Sequence, residues 1–309
     1  MTNNIFKSFS ILVMVLYSLI SCRDTFSETG DLLKDINYNA HTMGDQRYLY
    51  QETTSADTIA EYKYAGKQLI QIKGIDRMTY MSYSGDQVNQ IRHIYKTDAD
   101  STHFTQNLIY NIAGSGKLDK ITEQKSFFVL PTTPQGNLLE TKYYAEYDIT
   151  YNGAGKVATI LKKEATLLPD PCHPHVQEPI FVYQTYKRII LTYDATNTNV
   201  VASKTESGAI DHCSMTLSAP VFERNYEYLE YDGLKSPYKL LPYEYLIFRI
   251  SQAEDSYEGY IFSPQTPEIL KRSGTGIPVP QELATSKRKY DKDNYLTLGW
   301  FRVFEYRPL

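Results

Sequence analysis

Two short stretches bring together side chains that can ligate, oxidise or titrate: Asp170-Pro-Cys172-His173-Pro-His175 and Asp211-His212-Cys213. Two cysteine sulfurs can close a disulfide or, as thiolates, join imidazole nitrogens around zinc or copper. The first reading is a structural disulfide joining Cys172 to Cys213, with no cofactor. The second is a metal site drawn from Cys172, His173, His175, His212 and Cys213, although Cys-His-x-His is not a usual spacing for structural zinc. Unpaired loop residues are the third.

Other stretches that suggest chemistry fail on context. Gly114-Ser-Gly116-Lys117 lacks the first glycine of a phosphate loop, has Leu118 where Ser or Thr is needed, and falls in a turn with no helix after it. Asp98-Ala-Asp100-Ser101 lacks the glycine and the distant glutamate of a calcium loop. No Gly-x-Ser-x-Gly elbow occurs, and the histidines are scattered at 41, 93, 103, 173, 175 and 212. His93 and His103 flank one loop, the placement of surface residues more often than of a general base. No carboxylate pair can be set across a cleft by register. The expectation is a non-enzymatic binding or structural module; an envelope hydrolase or metal-binding protein using the Cys/His loops is the alternative.

A repeated hairpin positions these residues. Tyr64-Ala-Gly66-Lys-Gln-Leu69 returns as Tyr83-Ser-Gly85-Asp-Gln-Val88, then with longer turns as Tyr110 to Leu118 and Tyr151 to Val157, and more weakly at Tyr193, Tyr231 and Tyr290. Glycine and asparagine supply the positive φ angles of hairpin turns, and the flanks are β-branched and aromatic. The intervals of 19, 27, 41, 42, 38 and 59 residues are too irregular for a propeller or solenoid. The fold class expected is all-β: a large antiparallel meander of hairpins, curled or barrel-like, and soluble. Along Tyr143 to Asn152, Tyr143, Ala145, Tyr147, Ile149 and Tyr151 fall on one face, and the more polar residues on the other. One member of each adjacent pair Lys162-Lys163 and Lys187-Arg188 must face outward, which argues against a lipid-facing wall. In such a meander the loops carrying Cys172 and Cys213 share one end. Six prolines from Pro237 to Pro280 break long elements, leaving room for a short helix within Tyr243 to Gln252. Strands resume at Lys287 to Tyr290 and Leu296 to Tyr306. The 28 tyrosines are assigned mainly to the scaffold, with a binding face among them.

The amino terminus reads as an address. Ile11 to Ile20 is apolar apart from Ser18, too short for the ~20 residues of a spanning helix. Lys7 precedes it, and Leu19-Ile20-Ser21-Cys22 after it resembles a lipobox, in which the cysteine is lipidated and the signal cut before it. The division expected is a signal peptide over 1–21, a tether over 22–46 and a β domain over 47–309. A formal charge of −4 without a basic stripe excludes nucleic acid as a partner.

The lipobox, the Tyr-x-x-x-Gly-x-Leu/Val units and Tyr231-Asp-Gly-Leu-Lys-Ser-Pro237-Tyr-Lys together resemble lipoproteins of the Bacteroidetes group, placed in an uncharacterised domain family described as porin-like in fold. The units also resemble the YD repeats of secreted bacterial shell proteins. The resemblance runs from about Tyr62 to Tyr306. It supports the fold and transfers no active site. The lipobox leads to the expectation of a cell-envelope protein, outer-membrane in placement and attached to the membrane through its lipid alone, and the tyrosine-rich surface to that of a glycan, a peptide or an envelope protein as partner. The Cys22 assignment predicts that the wild-type protein partitions into the detergent phase of Triton X-114 and that Cys22→Ser moves it to the aqueous phase. Wild-type protein found in the aqueous phase refutes it.

Overall fold

The computed structural model describes residues 47–96, 101–111, 114–129, 139–176, 178–285 and 287–308. The segments expected to be signal peptide and tether, Cys22 and Asp98-Ala-Asp100 lie outside them. The strands are β1 (Arg47–Thr53), β2 (Thr58–Ala65), β3 (Gln68–Gly74), β4 (Arg77–Ser84), β5 (Gln87–Lys96) and β6 (Ser101–Tyr110). Next come β7 (Leu118–Val129), β8 (Leu139–Tyr151), β9 (Val157–Leu168), β10 (Ile180–Tyr193), β11 (Val200–Asp211) and β12 (Thr216–Leu217). The last are β13 (Phe222–Lys235), β14 (Gln265–Gly274), β15 (Ile277–Ala284), β16 (Lys289–Tyr290), β17 (Leu296–Gly299) and β18 (Arg302–Pro308). Between β13 and β14 runs the single α-helix of the described residues, α1 (Tyr243–Gln252), the segment where the prolines leave room for one.

The sheet is the antiparallel meander expected. Strands β2 to β11 pair in running order, and β11 continues through β13 and β14 to β15. At the other side β1 lies between β2 and β18, and β18 continues to β17 and β16. The ladder does not close, because β15 and β16 do not pair. A parallel bridge between Lys235 and Tyr295 crosses the gap, with Lys235 N–H donating to Asn294 O at 2.8 Å. Trp300 sews the same gap lower down, its indole N–H donating to Pro267 O at 3.0 Å. The late strand expected over Leu296 to Tyr306 is in fact a hairpin, since Trp300 and Phe301 take left-handed φ values of 52° and 61° and turn the chain.

The hairpin repeat has a physical cause. In six copies the turn tyrosine pairs with the aliphatic residue after the turn: Tyr64 with Leu69, Tyr83 with Val88, Tyr110 with Leu118, Tyr151 with Val157, Tyr193 with Val200 and Tyr290 with Leu296. The copy expected at Tyr231 is not a hairpin, because Asp232 and Gly233 lie at an irregularity within β13 and Tyr231 pairs with Pro267 of β14. A register shift precedes each pair, so every hairpin bends at the same place. The tyrosine then reaches back to the preceding hairpin. Tyr83 Oη donates to Leu69 O at 2.9 Å, Tyr110 to Val88 O at 2.8 Å, Tyr151 to Leu118 O at 2.7 Å and Tyr231 to Val200 O at 2.5 Å. Each accepting residue is buried, and its carbonyl would otherwise lack a partner at the shift. Gly66 and Gly85 hold φ of 58° and 63° in the early turns, and Asn197 and Asn294 hold 55° and 65° in later ones, which is why copies without glycine still turn.

The concave face closes on α1. Glu244, Tyr245, Leu246, Ile247, Phe248, Ile250 and Ser251 are all buried, leaving little of the helix for solvent. Its partners come from around the wall: the Tyr245 ring meets Tyr62 on β2, Phe248 stacks on His93 of β5 at 3.8 Å, and Gln252 donates to Tyr147 on β8 at 3.1 Å. The sheet is wrapped around a plug.

The convex face is charged at strand centres. On β8 Ala145, Tyr147 and Ile149 point inward and are buried, while Glu146 and Asp148 point outward, the alternation read from the sequence. Lys120 and Lys163 flank them, Lys163 lying 3.0 Å from Glu146 and 2.8 Å from Asp148. A second ladder links Arg188, Glu206, Lys204 and Glu223. A lysine or arginine facing lipid at the bilayer midplane costs about 2–4 kcal/mol, so this face belongs in water. No helix among the described residues is long and apolar enough to cross a membrane.

The reach-back bonds predict that Tyr83→Phe, which removes one donor and leaves Leu69 O unsatisfied, lowers stability by about 1 kcal/mol. Urea denaturation should show a lower midpoint at unchanged slope. An unmoved midpoint counts against the bond.

Candidate functional site

The most concentrated chemistry lies inside the barrel. Glu52 on β1 has no exposed surface, and it accepts from Arg249 at 2.9 and 3.1 Å, from Arg302 at 2.6 Å and from the hydroxyls of Tyr62 and Tyr238 at 3.1 Å each. Glu258, beyond α1, accepts from Arg249 at 2.7 and 3.0 Å and from Tyr257 at 2.9 Å, and it pairs with Arg302. Two anions thus meet two cations. Burial alone would raise both carboxyls, yet the charges of Arg249 and Arg302 outweigh it and hold both below their ordinary value. A cavity of about 280 Å³ touches Arg249, Glu258 and Arg302. General acid catalysis needs a carboxyl that keeps its proton near neutral pH, and neither glutamate does. The box is a clasp between wall and plug.

His93 is a buried wall residue. Its ring lies between Phe104 and Phe248, at 4.4 and 3.8 Å, with Nδ1 3.0 Å from Thr79 Oγ1. Burial, helped by the charge of Arg77, lowers its pKa to about 3, so it is neutral at cellular pH. His103 is exposed on the opposite face of the sheet, which dissolves the pairing that one shared loop suggested. Lys187 also points inward and donates to Ala253 O; burial first, and then Lys162, lowers its pKa to about 8.

A different site opens where α1 enters the barrel, at the end bearing the Gly/Asn turns. The cleft has a volume of about 620 Å³, within the ~300–1,000 Å³ usual for ligand pockets. Tyr110, Tyr151, Tyr193 and Tyr243 wall it, and Leu246 and Ile261 form its floor. Three of these tyrosines are turn residues of the repeat. Tyr110 Oη lies 2.8 Å from Val88 O and 2.9 Å from Glu244 Oε1, one proton between two acceptors. Burial raises the Glu244 pKa, and the hydrogen bond that Tyr110 donates to it acts the other way. Lys117, Lys156 and Lys239 line the mouth against Asp86. Lys117 donates to Gly155 O at 3.0 Å and stands over the Tyr151 ring, so Gly114-Ser-Gly116-Lys117 ties two hairpin turns together and cradles no phosphate.

The Cys/His loops lie at the far end. Cys172 and Cys213 form a disulfide with Cα atoms 5.6 Å apart, linking the β9–β10 and β11–β12 loops. Asp170 accepts from Cys172 N at 2.8 Å and Asp211 from Cys213 N at 3.0 Å, so the same Asp-x-Cys turn holds each cysteine. Ligand atoms of Asp170, Cys172 and His212 gather within 4.8 Å of one another. Against the five-residue metal reading, both sulfurs are in the disulfide and supply no thiolate, His212 Nδ1 accepts from Tyr183 N at 3.1 Å, and His173 and His175 are exposed.

A crystal structure of a porin-like protein from Bacteroides vulgatus is similar to this chain at 12% identity with a TM-score of 0.44, covering 85% of this chain and all of that one. No protein-family model and no curated protein matches the sequence.

Sequence reasoning missed Glu52, Arg249, Glu258 and Arg302. One signal was available: Arg249 interrupts the apolar run of Tyr245 to Ile250, and a lone cation on a helix buried all round needs an anion opposite it. Glu52→Gln leaves two buried guanidinium groups facing one carboxylate, so it should cost roughly 3–5 kcal/mol at pH 7. The folded pKa of each glutamate lies below the ordinary 4.5, so the contribution is complete above that value and is lost as pH falls through the folded values. Urea titrations at pH 7 and pH 3 should therefore show the gap between wild type and variant narrowing in acid. An equal gap at both values overturns the assignment.

Proposed function

We propose that this chain is a lipid-anchored protein of the cell envelope, placed at the outer membrane, whose β domain is a non-enzymatic binding module taking an oligosaccharide in the tyrosine-walled cleft. The observation that carries this is the cleft itself. Four tyrosine rings supply flat apolar surface with hydroxyl handles, which suits sugar faces edged by hydroxyl groups. The lysines at the mouth favour a sugar bearing a carboxylate or sulfate.

Placement in the envelope rests on the Ile11–Cys22 segment, and kinship with the porin-like Bacteroidetes lipoproteins rests on the hairpin units. The charged convex wall supports a domain held by its lipid and bathed in water. An enzymatic reading finds no support in the Glu52/Glu258 pair, since both groups are ionised and already saturated with donors.

The test is binding of the purified lipoprotein to an array of neutral and acidic oligosaccharides, followed by calorimetry on any that bind. Tyr193→Ala and Lys156→Glu should each weaken a bound acidic oligosaccharide by roughly 10-fold or more, about 1.4 kcal/mol. Binding that ignores both substitutions moves the site elsewhere; an array without a ligand, beside capture of a peptide or envelope protein at the cleft, replaces the glycan by that partner.

A further inference from the structure

On the inner face of the sheet, apart from the tyrosine cleft, two lysines stand directly opposite each other. Lys187 on β10 pairs with Lys162 on β9, and two residues away on the same face lie Ile189 and Ile160, both in the core. Like charges set opposite on neighbouring strands repel. One carboxylate serves the two: Glu164 pairs with Lys162 and accepts from Tyr143 Oη and, at 3.2 Å, from Thr185 Oγ1. No carboxylate among the described residues forms an ion pair with Lys187, whose Nζ donates to the backbone carbonyl of Ala253, just past α1.

A cavity of about 490 Å³ opens onto this amine, within the ~300–1,000 Å³ of ligand sites. Lys162, Glu164, Thr185, Lys187 and Ser207 line it together with the exposed Val221, so solvent reaches it. Burial first, and then the charge of Lys162, lower the Lys187 pKa to about 8, while Glu164 and the carboxylates Asp255 and Glu254 beyond α1 act the other way. A neutral amine has two N–H bonds and a lone pair. It can keep its bond to Ala253 O and still present the lone pair to the cavity. Lysines on the outer face differ: Lys163 is held by Glu146 and Asp148, Lys204 by Glu206 and Glu223, and both are raised above their ordinary value.

We propose that Lys187 is a carbonyl-capturing amine and that this cavity takes a small aldehyde or ketone, which Lys187 holds as an imine. A partly buried lysine beside a second cation has the free amine that such capture needs near neutral pH. The Nζ lone pair attacks the carbonyl carbon and one proton passes from nitrogen to the carbonyl oxygen. The second N–H proton then leaves with that hydroxyl as water, and the C=N bond remains. No oxidant or reductant is consumed. Protonated, the imine keeps one N–H for Ala253 O, and the Glu164 carboxylate in the same cavity balances its charge. The capture depends on neither the tyrosine cleft nor the lipid anchor.

The purified full-length protein is incubated with glycolaldehyde and cyanoborohydride, which reduces imines to stable secondary amines, and the modified lysines are located by peptide mass spectrometry over a pH series. At pH 7 Lys187 should be modified roughly 10-fold or more faster than the exposed Lys67. The ratio of the two rates cancels the pH dependence of the reductant. It should fall as pH rises above about 8, where Lys187 is already neutral and Lys67 still gains free amine. Lys162→Met removes the opposing cation and frees Glu164 to pair with Lys187, so it should slow modification of Lys187 by roughly 3-fold or more and leave Lys67 unchanged. Equal rates for Lys187 and Lys67 at pH 7, or a Lys187 rate that ignores Lys162→Met in folded protein, overturn the proposal. The wild-type ratio decides alone where the variant does not fold.

Discussion

The ion-pair box of Glu52, Arg249, Glu258 and Arg302 is the constraint on which the other parts of this structure depend. A guanidinium group buried without an anion is not tolerated, and Arg249 sits in the helix that fills the barrel. Its two carboxylates come from different places, Glu52 from the first described strand and Glu258 from the returning leg of the plug. Arg302 on the last strand bridges the same two groups. The box therefore joins the first and last described strands to the insert between β13 and β14. Charge balance makes this workable, because any one of the four without the others would be a buried net charge. Tyr62, Tyr238 and Tyr257 then use the lone pairs that the arginines leave. Replacing the box by apolar residues of equal volume need not weaken the fold; what the box supplies is specificity, one register for the plug against the wall.

Around that centre the wall is built by repetition. From Tyr64 to Tyr151 successive hairpins bend at a register shift, and the carbonyls of Leu69, Val88 and Leu118 each accept from the next hairpin's tyrosine. Within that run one hairpin prepares the acceptor and the following one brings the donor. A plain sheet of this width would flatten or slip in register. The regular bends curl it instead. Curling brings β18 beside β1 without a closed ladder, and the remaining gap is crossed by the Lys235–Tyr295 bridge and by Trp300. On the open side Pro278 and Pro280 occupy the edge strand β15, removing N–H groups that could recruit another chain.

What could be read in the sequence follows from this division between local and distant. The hairpins were legible because tyrosine, turn and aliphatic partner lie within a few residues of one another, and inward and outward residues alternate with a period of two. The α1 segment was legible for a related reason, as the place where that alternation stops between prolines. The shared end of the two cysteine loops followed from counting strands. The box was not legible, since Glu52 and Arg249 are separated by most of the chain and nothing local marks Glu52 as inward-facing and paired. The cleft was half legible. Its tyrosines were visible as scaffold, but that they converge on one mouth depends on the curl, which comes from register shifts that composition does not reveal. His93 and His103 show the limit of loop reasoning: neighbours across a hairpin whose positions have opposite parity face opposite sides of the sheet.

The polar interior also bears on what such a barrel can do. A barrel that spans a membrane carries an apolar outer belt; here the outer face is charged. Its outer wall carries the mixed-charge ladders, and its lumen is filled by a helix whose arginine is consumed by two carboxylates and whose aromatic rings stack on the wall. The four charges of the box balance one another there. The two ends carry the loops and turns, outside the bends that hold the wall. One end keeps the repeat's own tyrosines and adds lysines around a cleft; the other joins two long loops by a disulfide and points apolar tips outward. Between these unlike ends the clasp at Arg249 holds the plug to the wall.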